Sequence, residues 1–191
     1  MRNLTDSSGR IQTRLGDLAS VVPTSQRMPF QVSQPTGSGL DAAVPQAVWM
    51  AAAAIVMQRL CGAKQALLIL PPCGEPRFIA CAAQELAQSI VERARNPVPN
   101  SASPIDPDAI DLVWLSSAAQ QTDALARYPS ALLLMPAAQE GALHIVSSGL
   151  YPETFVRALL RSMYQTARTI LADPAQRVDQ IDLLGAEQRA E

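Results

Sequence analysis

The chain has 191 residues, with 15 Lys+Arg against 17 Asp+Glu for a formal net charge of -2, and a single histidine. A chain of this length can bury one domain core without metals or disulfides, and chemistry that needs a pair of histidines is excluded. Hydrophobic content of 48% with 17% charged residues marks a globular protein, and the slight acidity supplies no general attraction to nucleic-acid phosphates or anionic lipid.

The N-terminus, MRNLTDSSGRIQTRLGD, lacks the apolar core of a secretory signal. Residues 1–29 are read as a polar segment, flexible or used for docking, in which only Ile11 to Val22 is hydrophobic enough for a weak element. From Asp41 the pattern changes. DAAVPQAVWMAAAAIVMQRLCG places Pro45 in a first turn, Arg59 in the last and Gly62 as a stop, which predicts a helix apolar nearly all round and so internal to a layered fold. Its apolar run is interrupted and too short to span a membrane.

Ala66 to Leu70 predicts a strand buried on both faces, ended by Pro71 and Pro72. The three- and four-residue recurrence of Ile79, Ala83, Leu86, Ala87, Ile90, Val91 and Ala94 predicts a helix over Ile79 to Arg95. The four prolines between Asn96 and Asp108 predict a loop or linker only. Strands follow at Asp111 to Leu115, Ala131 to Met135 and Ala142 to Ser147, the last two joined across Pro136 to Gly141 as a hairpin. Pro152 to Leu171 is the most periodic segment, a helix stopped by Asp173-Pro174. The tail to Leu184 is expected to be extended, with Val178, Ile181, Leu183 and Leu184 as docking hooks, before GAEQRAE starts a new helix.

His144 is the only candidate imidazole base, although a lone strand histidine more often serves packing. Cys73, in the loop LPPCGEPR, would need that same histidine to act as a nucleophile. Cys61, Cys73 and Cys81 form no CxxC pair, and their odd number points to a reducing, cytoplasmic setting rather than a disulfide framework. No metal or cofactor site is indicated: phosphate-cradle and nucleophile-elbow patterns are missing from the sequence. The acidic cluster Asp106, Asp108 and Asp111 is read as turn and capping chemistry. Arg157, Arg161 and Arg168 fall on the polar side of the last helix, as a solvated face or a contact for an acidic partner. Lys64 is the only lysine, and alanine fills 31 positions, a bias read here as compositional background.

The last forty residues, GLYPETFVRALLRSMYQTARTILADPAQRVDQIDLLGAEQRAE, resemble the end of a nonribosomal peptide synthetase condensation domain running into the linker before an adenylation domain. The matching features are Leu150-Tyr151, the helix from Phe155 to Leu171, Asp173-Pro174, and Ile181-Asp182-Leu183-Leu184 followed by Ala186-Glu187-Gln188-Arg189. Upstream, AVWMAAAAIVMQRLCGAKQALLIL resembles the family's helix, R-x-x-G turn (Arg59 and Gly62) and strand. The resemblance implies an α/β layered sandwich like the C-terminal lobe of the chloramphenicol-acetyltransferase-like fold over 30–172, and a linker over 173–191. Condensation domains carry H-H-x-x-x-D-G in an N-terminal lobe, and this chain has neither that lobe nor two histidines.

The resemblance therefore implies a non-catalytic half domain at the start of a synthetase module. It would position an adenylation domain in the same chain through Val178, Ile181, Leu183, Leu184, Arg157 and Arg161, with a carrier protein or an upstream subunit as further partners and no nucleic acid or membrane. ATP and phosphopantetheine belong, on this reading, to the rest of the synthetase. Met1 reads as a natural start and Glu191 as the point before an adenylation domain. The alternative is a small acyltransferase-like enzyme using His144, rebuilt as a two-lobed dimer.

Overall fold

The computed structural model describes residues 15, 18–19, 22–33, 44–62, 65–70, 76–99, 106–107, 110–136 and 142–184. Seven strands form one mixed sheet in the order β1-β7-β6-β5-β2-β3-β4. They are β1 (Phe30–Ser33), β2 (Gln65–Leu70), β3 (Arg77–Ala80), β4 (Val98–Pro99), β5 (Leu112–Leu115), β6 (Leu132–Pro136) and β7 (Leu143–Ser147). The central trio β2, β5 and β6 is parallel, and the flanking strands pair antiparallel. Among the described residues the α-helices are α1 (Gln46–Cys61), α2 (Ala87–Arg95), α3 (Gln121–Arg127) and α4 (Glu153–Ala172).

Strand alternation divides the core in two. Leu67, Ile69, Leu112, Trp114, Leu132, Leu134, Leu143 and Ile145 point to the side that carries α1, α2 and α4. Leu68, Val113, Leu115, Leu133, Met135 and Val146 point to the other, where Ala124 and Tyr128 from α3 and its C-terminal end cover them. The parallel strands are hydrophobic on both faces because both faces are covered.

Helix α1 begins after Pro45, which stands just outside the first turn, and ends at Gly62 in the left-handed conformation (φ 69). Residues Val48 to Met57 are all buried, as the all-round apolar pattern predicts. Helix α4 crosses beside it, and Trp49 meets Tyr164 edge to face with ring centroids 4.6 Å apart.

Three sequence expectations are corrected. The helix over Ile79 to Arg95 is two elements: β3 occupies Arg77–Ala80 and the helix starts only at Ala87. Ile79 is apolar because it fills the core from a strand, and a turn follows in which the Glu85 carboxylate accepts the Ala82 N–H at 2.8 Å. The proline-rich stretch is not wholly loop. Val98–Pro99 adds a two-residue edge strand to β3, an edge being where proline's missing N–H is tolerated. The third miss is α3 with the 3-10 turn before it, where Ser117 and Gln120 form a reciprocal capping box. Gln120 Oε1 accepts the Ser116 and Ser117 N–H groups at 3.1 Å, and its amide donates to the Leu70 carbonyl at 3.2 Å.

Asp111 is the member of the acidic cluster with a built-in role. It is 6% exposed, and its Oδ2 accepts the Leu15 N–H at 3.0 Å, anchoring a fully buried Leu15 to the core. The Tyr151 hydroxyl joins the same carboxylate, and burial, then the Asp111 charge, push the phenol far above its ordinary value. Lys64, Cys73, Asp108, the turn over 137–141, the expected helix start over 185–191 and most of Ile11 to Val22 lie outside the described residues.

Gly62 and Gly149 both have positive φ but unequal surroundings. A Cβ on Gly149 (φ 87) would stand 2.5 Å from the Met28 carbonyl oxygen, whereas one on Gly62 meets nothing within 4 Å. Gly62→Ala is expected to cost about 1 kcal/mol of backbone strain. Gly149→Ala adds a backbone collision and should cost at least about 2 to 3 kcal/mol, as read by urea denaturation midpoints of the two variants.

Candidate functional site

The residues expected to form an outward docking surface separate into two groups. Val178 and Ile181 are 0% exposed and belong to the main core. Leu183 is half-buried against that core, and Leu184 is 49% exposed. The expectation that Val178 and Ile181 hook onto another domain is therefore revised: they hook onto their own lobe. A β-branched side chain followed at three residues by another, on a short 3-10 turn (Val178–Gln180), places both on the same side and inward.

The tail is held by backbone as well as by side chains. Ala87 N–H donates to the Gln176 carbonyl at 2.9 Å and Gln88 N–H to that of Pro174 at 2.8 Å. These are the first two amides of α2, whose preceding residue Leu86 supplies no side-chain cap, so the tail satisfies donors that a helix start leaves open. Val178 N–H donates to the Glu85 carbonyl and Asp179 N–H to that of Ala83, both at 2.9 Å. Leu86 and Arg177 form an isolated antiparallel bridge. Arg59, in the last turn of α1, donates to the Asp179 carbonyl at 2.7 Å. The result is a strap over residues 174–181.

The turn that receives the strap is organised by charge. Arg93 contacts Glu85 at 2.6 Å, with side chains 28% and 31% exposed, and also donates to the Ala80 carbonyl. The Arg93 guanidinium holds the Glu85 carboxyl below its ordinary value, opposed by partial burial and assisted by the Ala82 N–H. Cys81 lies beside this pair, and burial, reinforced by the Glu85 charge, pushes its thiol up to about 12. A thiol in that state is an inert packing group rather than a nucleophile.

His144 stands at the opposite end of the sheet, on the second-last strand in the order. It pairs in register with Ser33 of the edge strand β1, and Ser33 Oγ lies 2.5 Å from His144 Nδ1. Ser33 is exposed and His144 half-buried. Among the described residues the imidazole's hydrogen-bond partner is Ser33, and none of the described carboxylates orients the ring as a triad would require. Arg157 and Arg161 lie exposed on α4, with Arg157 held by Glu153 one turn earlier at 2.8 Å.

The strap could have been anticipated from the apolar spacing of Val178 and Ile181, but its landing site could not. The Ser33 partner of His144 was hidden because β1 carries only one strongly buried residue, Val32.

No protein-family model matches the chain, nor does any curated protein. Solved structures match it in fold. The X-domain from teicoplanin biosynthesis is 15% identical with a TM-score of 0.50, over 85% of this chain and 51% of that one. A point variant of the starter condensation domain of rhizomide synthetase is 14% identical with a TM-score of 0.51, over 88% of this chain and 50% of that one. A double variant of the same domain, in a "product-released" conformation, gives 15% and 0.50 over 87% and 51%. The chain has a condensation-like α/β fold, and it spans about half the length of the structures it matches.

Two predictions follow from the strap's geometry. Ile181→Ala should destabilise the fold by about 2 to 5 kcal/mol, whereas Leu184→Ala, on an exposed side chain, should stay within about 0.5 kcal/mol; denaturant midpoints of both variants check the contrast. Glu85 has its folded-state pKa lowered, so its contribution is present above the ordinary 4.5 and is lost as pH falls below that value. The stability gap between wild type and Glu85→Gln should therefore be widest near neutral pH and close in acid, as measured by urea melts across pH.

Proposed function

We propose that the chain is a non-catalytic lobe of a condensation-like domain, corresponding to the C-terminal lobe, which acts as a scaffold in a nonribosomal peptide synthetase module. The observation that carries this reading is the strap. By hydrogen-bonding residues 174–179 to the start of α2 and burying Val178 and Ile181, it fixes the place and direction in which Leu183 and Leu184 leave the lobe. An adenylation domain continuing from that point would be held in a defined orientation instead of swinging on a free linker. The match to half the length of condensation-like structures and the presence of a single histidine support a lobe without its own amide-forming centre. ATP and phosphopantetheine chemistry is assigned to other domains of the assembly.

One observation favours the second reading, a small acyltransferase that uses His144 in a two-lobed dimer. The Ser33 and His144 side chains are in hydrogen-bond contact where solvent reaches them, the first element of a nucleophile-base arrangement.

An adenylation domain supplied in trans should bind the full chain, and Leu184→Asp should weaken that binding at least about tenfold by calorimetry while leaving the melting temperature unchanged. Unchanged affinity would sink the docking role. Turnover of a carrier-loaded acyl donor to amide or ester by the purified chain, abolished by His144→Ala, would replace the scaffold reading with the enzymatic one.

A further inference from the structure

The strap and the turn that receives it complete each other. The strap amides of Val178 and Asp179 donate to the turn carbonyls of Glu85 and Ala83, and the amides of Ala87 and Gln88 donate back to the strap carbonyls of Gln176 and Pro174. Four backbone bonds thus cross between the two segments, two in each direction, around the Leu86–Arg177 bridge. Parting the segments leaves donors and acceptors on both sides without partners at once, so neither side gains by moving alone.

The charges divide differently. Glu85 and Arg93 both belong to the turn and α2, and Arg177 and Asp179, 2.6 Å apart, both belong to the strap. Separation of the segments breaks neither ion pair, although Arg177 also reaches across to Gln84. Arg59 ties the strap to α1 through the Asp179 carbonyl. Little apolar surface holds the assembly down: across residues 82–86 and 173–181 the buried side chains are those of Val178 and Ile181, and Gln88 and Pro174 are exposed. Strands β5 and β6, buried on both faces, are the opposite case. Few buried apolar groups and backbone bonds within reach of water place a segment at the low end of local stability. Cys81, 2% exposed, sits at the joint where β3 leads into this turn.

We infer that the strap and residues 81–88 form a latch: they open together as one local unit while the sheet stays folded, Arg59 is the catch that holds them shut, and opening uncovers Cys81. Closed, the latch keeps the thiol a packing group. Open, it leaves the thiol in water, where burial no longer opposes the thiolate and the nearby Arg93 cation favours it. The position of the tail therefore sets the reactivity of a cysteine distant from it in sequence. The inference concerns one chain and is independent of the synthetase reading.

The test uses the full chain carrying Cys61→Ser and Cys73→Ser, which leaves Cys81 as the one thiol of the three in the sequence. Labelling by N-ethylmaleimide is followed by intact mass, and hydrogen–deuterium exchange by peptides covering 82–88, 174–181 and the β5 and β6 strands, all without denaturant. The two latch peptides should share one opening equilibrium, well above that of β5 and β6. Arg59→Ala, on an exposed side chain, should raise that opening and the Cys81 labelling rate by a common factor of at least about ten, with β5 and β6 unchanged. Arg59→Lys keeps a charged donor and should fall between. Exchange is also run on the chain with its three cysteines intact, so that the coupling of the two peptides is read without any cysteine substitution. Faster exchange of 174–181 in Arg59→Ala with 82–88 and Cys81 unmoved would overturn the inference, because the strap would then open alone. So would Cys81 labelling no faster than exchange of β5 and β6, which would mean that the thiol is reached by global unfolding.

Discussion

Everything in this fold is arranged around a helix that has no outward face. From Val48 to Met57 every residue of α1 is buried, packed against the sheet, α2 and α4. A helix can be enclosed in this way only if its side chains are small where its neighbours come closest, and Ala51 to Ala54, all 0% exposed, provide that. Larger residues there would overpack a region with no free volume to receive them. The alanine content that reads in the sequence as compositional background is thus, over this segment, a steric requirement. It also explains why the fold is layered: a helix apolar all round has to be covered twice.

Beyond the sheet, α1 is packed by α2 and α4, and α2 is too short to hold itself in place. Nine residues without a side-chain cap at the N-terminus make a marginal helix. The strap corrects this by supplying carbonyl acceptors from Pro174 and Gln176 and apolar weight from Val178 and Ile181. Arg59, at the end of α1, reaches the same strap at Asp179. The two ends of the layer are therefore joined by a segment distant in sequence from both, and what looks like a linker by composition is part of the core.

Legibility in the sequence followed the strength of local pattern. Helices α1 and α4, and strands β2, β5, β6 and β7, have continuous or strongly periodic apolar runs, and their positions could be read within one or two residues. The helix expected over Ile79 to Arg95 overlaps β3 because Ile79 and Ala83 extend the three- and four-residue recurrence of α2 by coincidence. Ile79 is turned inward by strand pairing with Leu67, a contact the periodicity does not encode. Strands β1 and β4 have four and two residues and gain their structure from neighbours already in the sheet. The candidate site was legible in part. The hydrophobic hooks were visible, but whether they point inward or outward depends on where the chain turns after Asp173, which is a tertiary fact.

The sheet is covered on its second face as well. Here the face opposite α1, α2 and α4 is occupied: Val113 and Leu133 are 0% exposed, and Tyr128, following α3, is fully buried over them. Only the β1 end of that face, with exposed Gln31 and Ser33 beside the half-buried His144, lacks such a cover among the described residues. A strip one strand wide, bearing polar side chains, is a small surface on which to rebuild a two-lobed cleft, since stable association needs roughly 800 Å² from each partner.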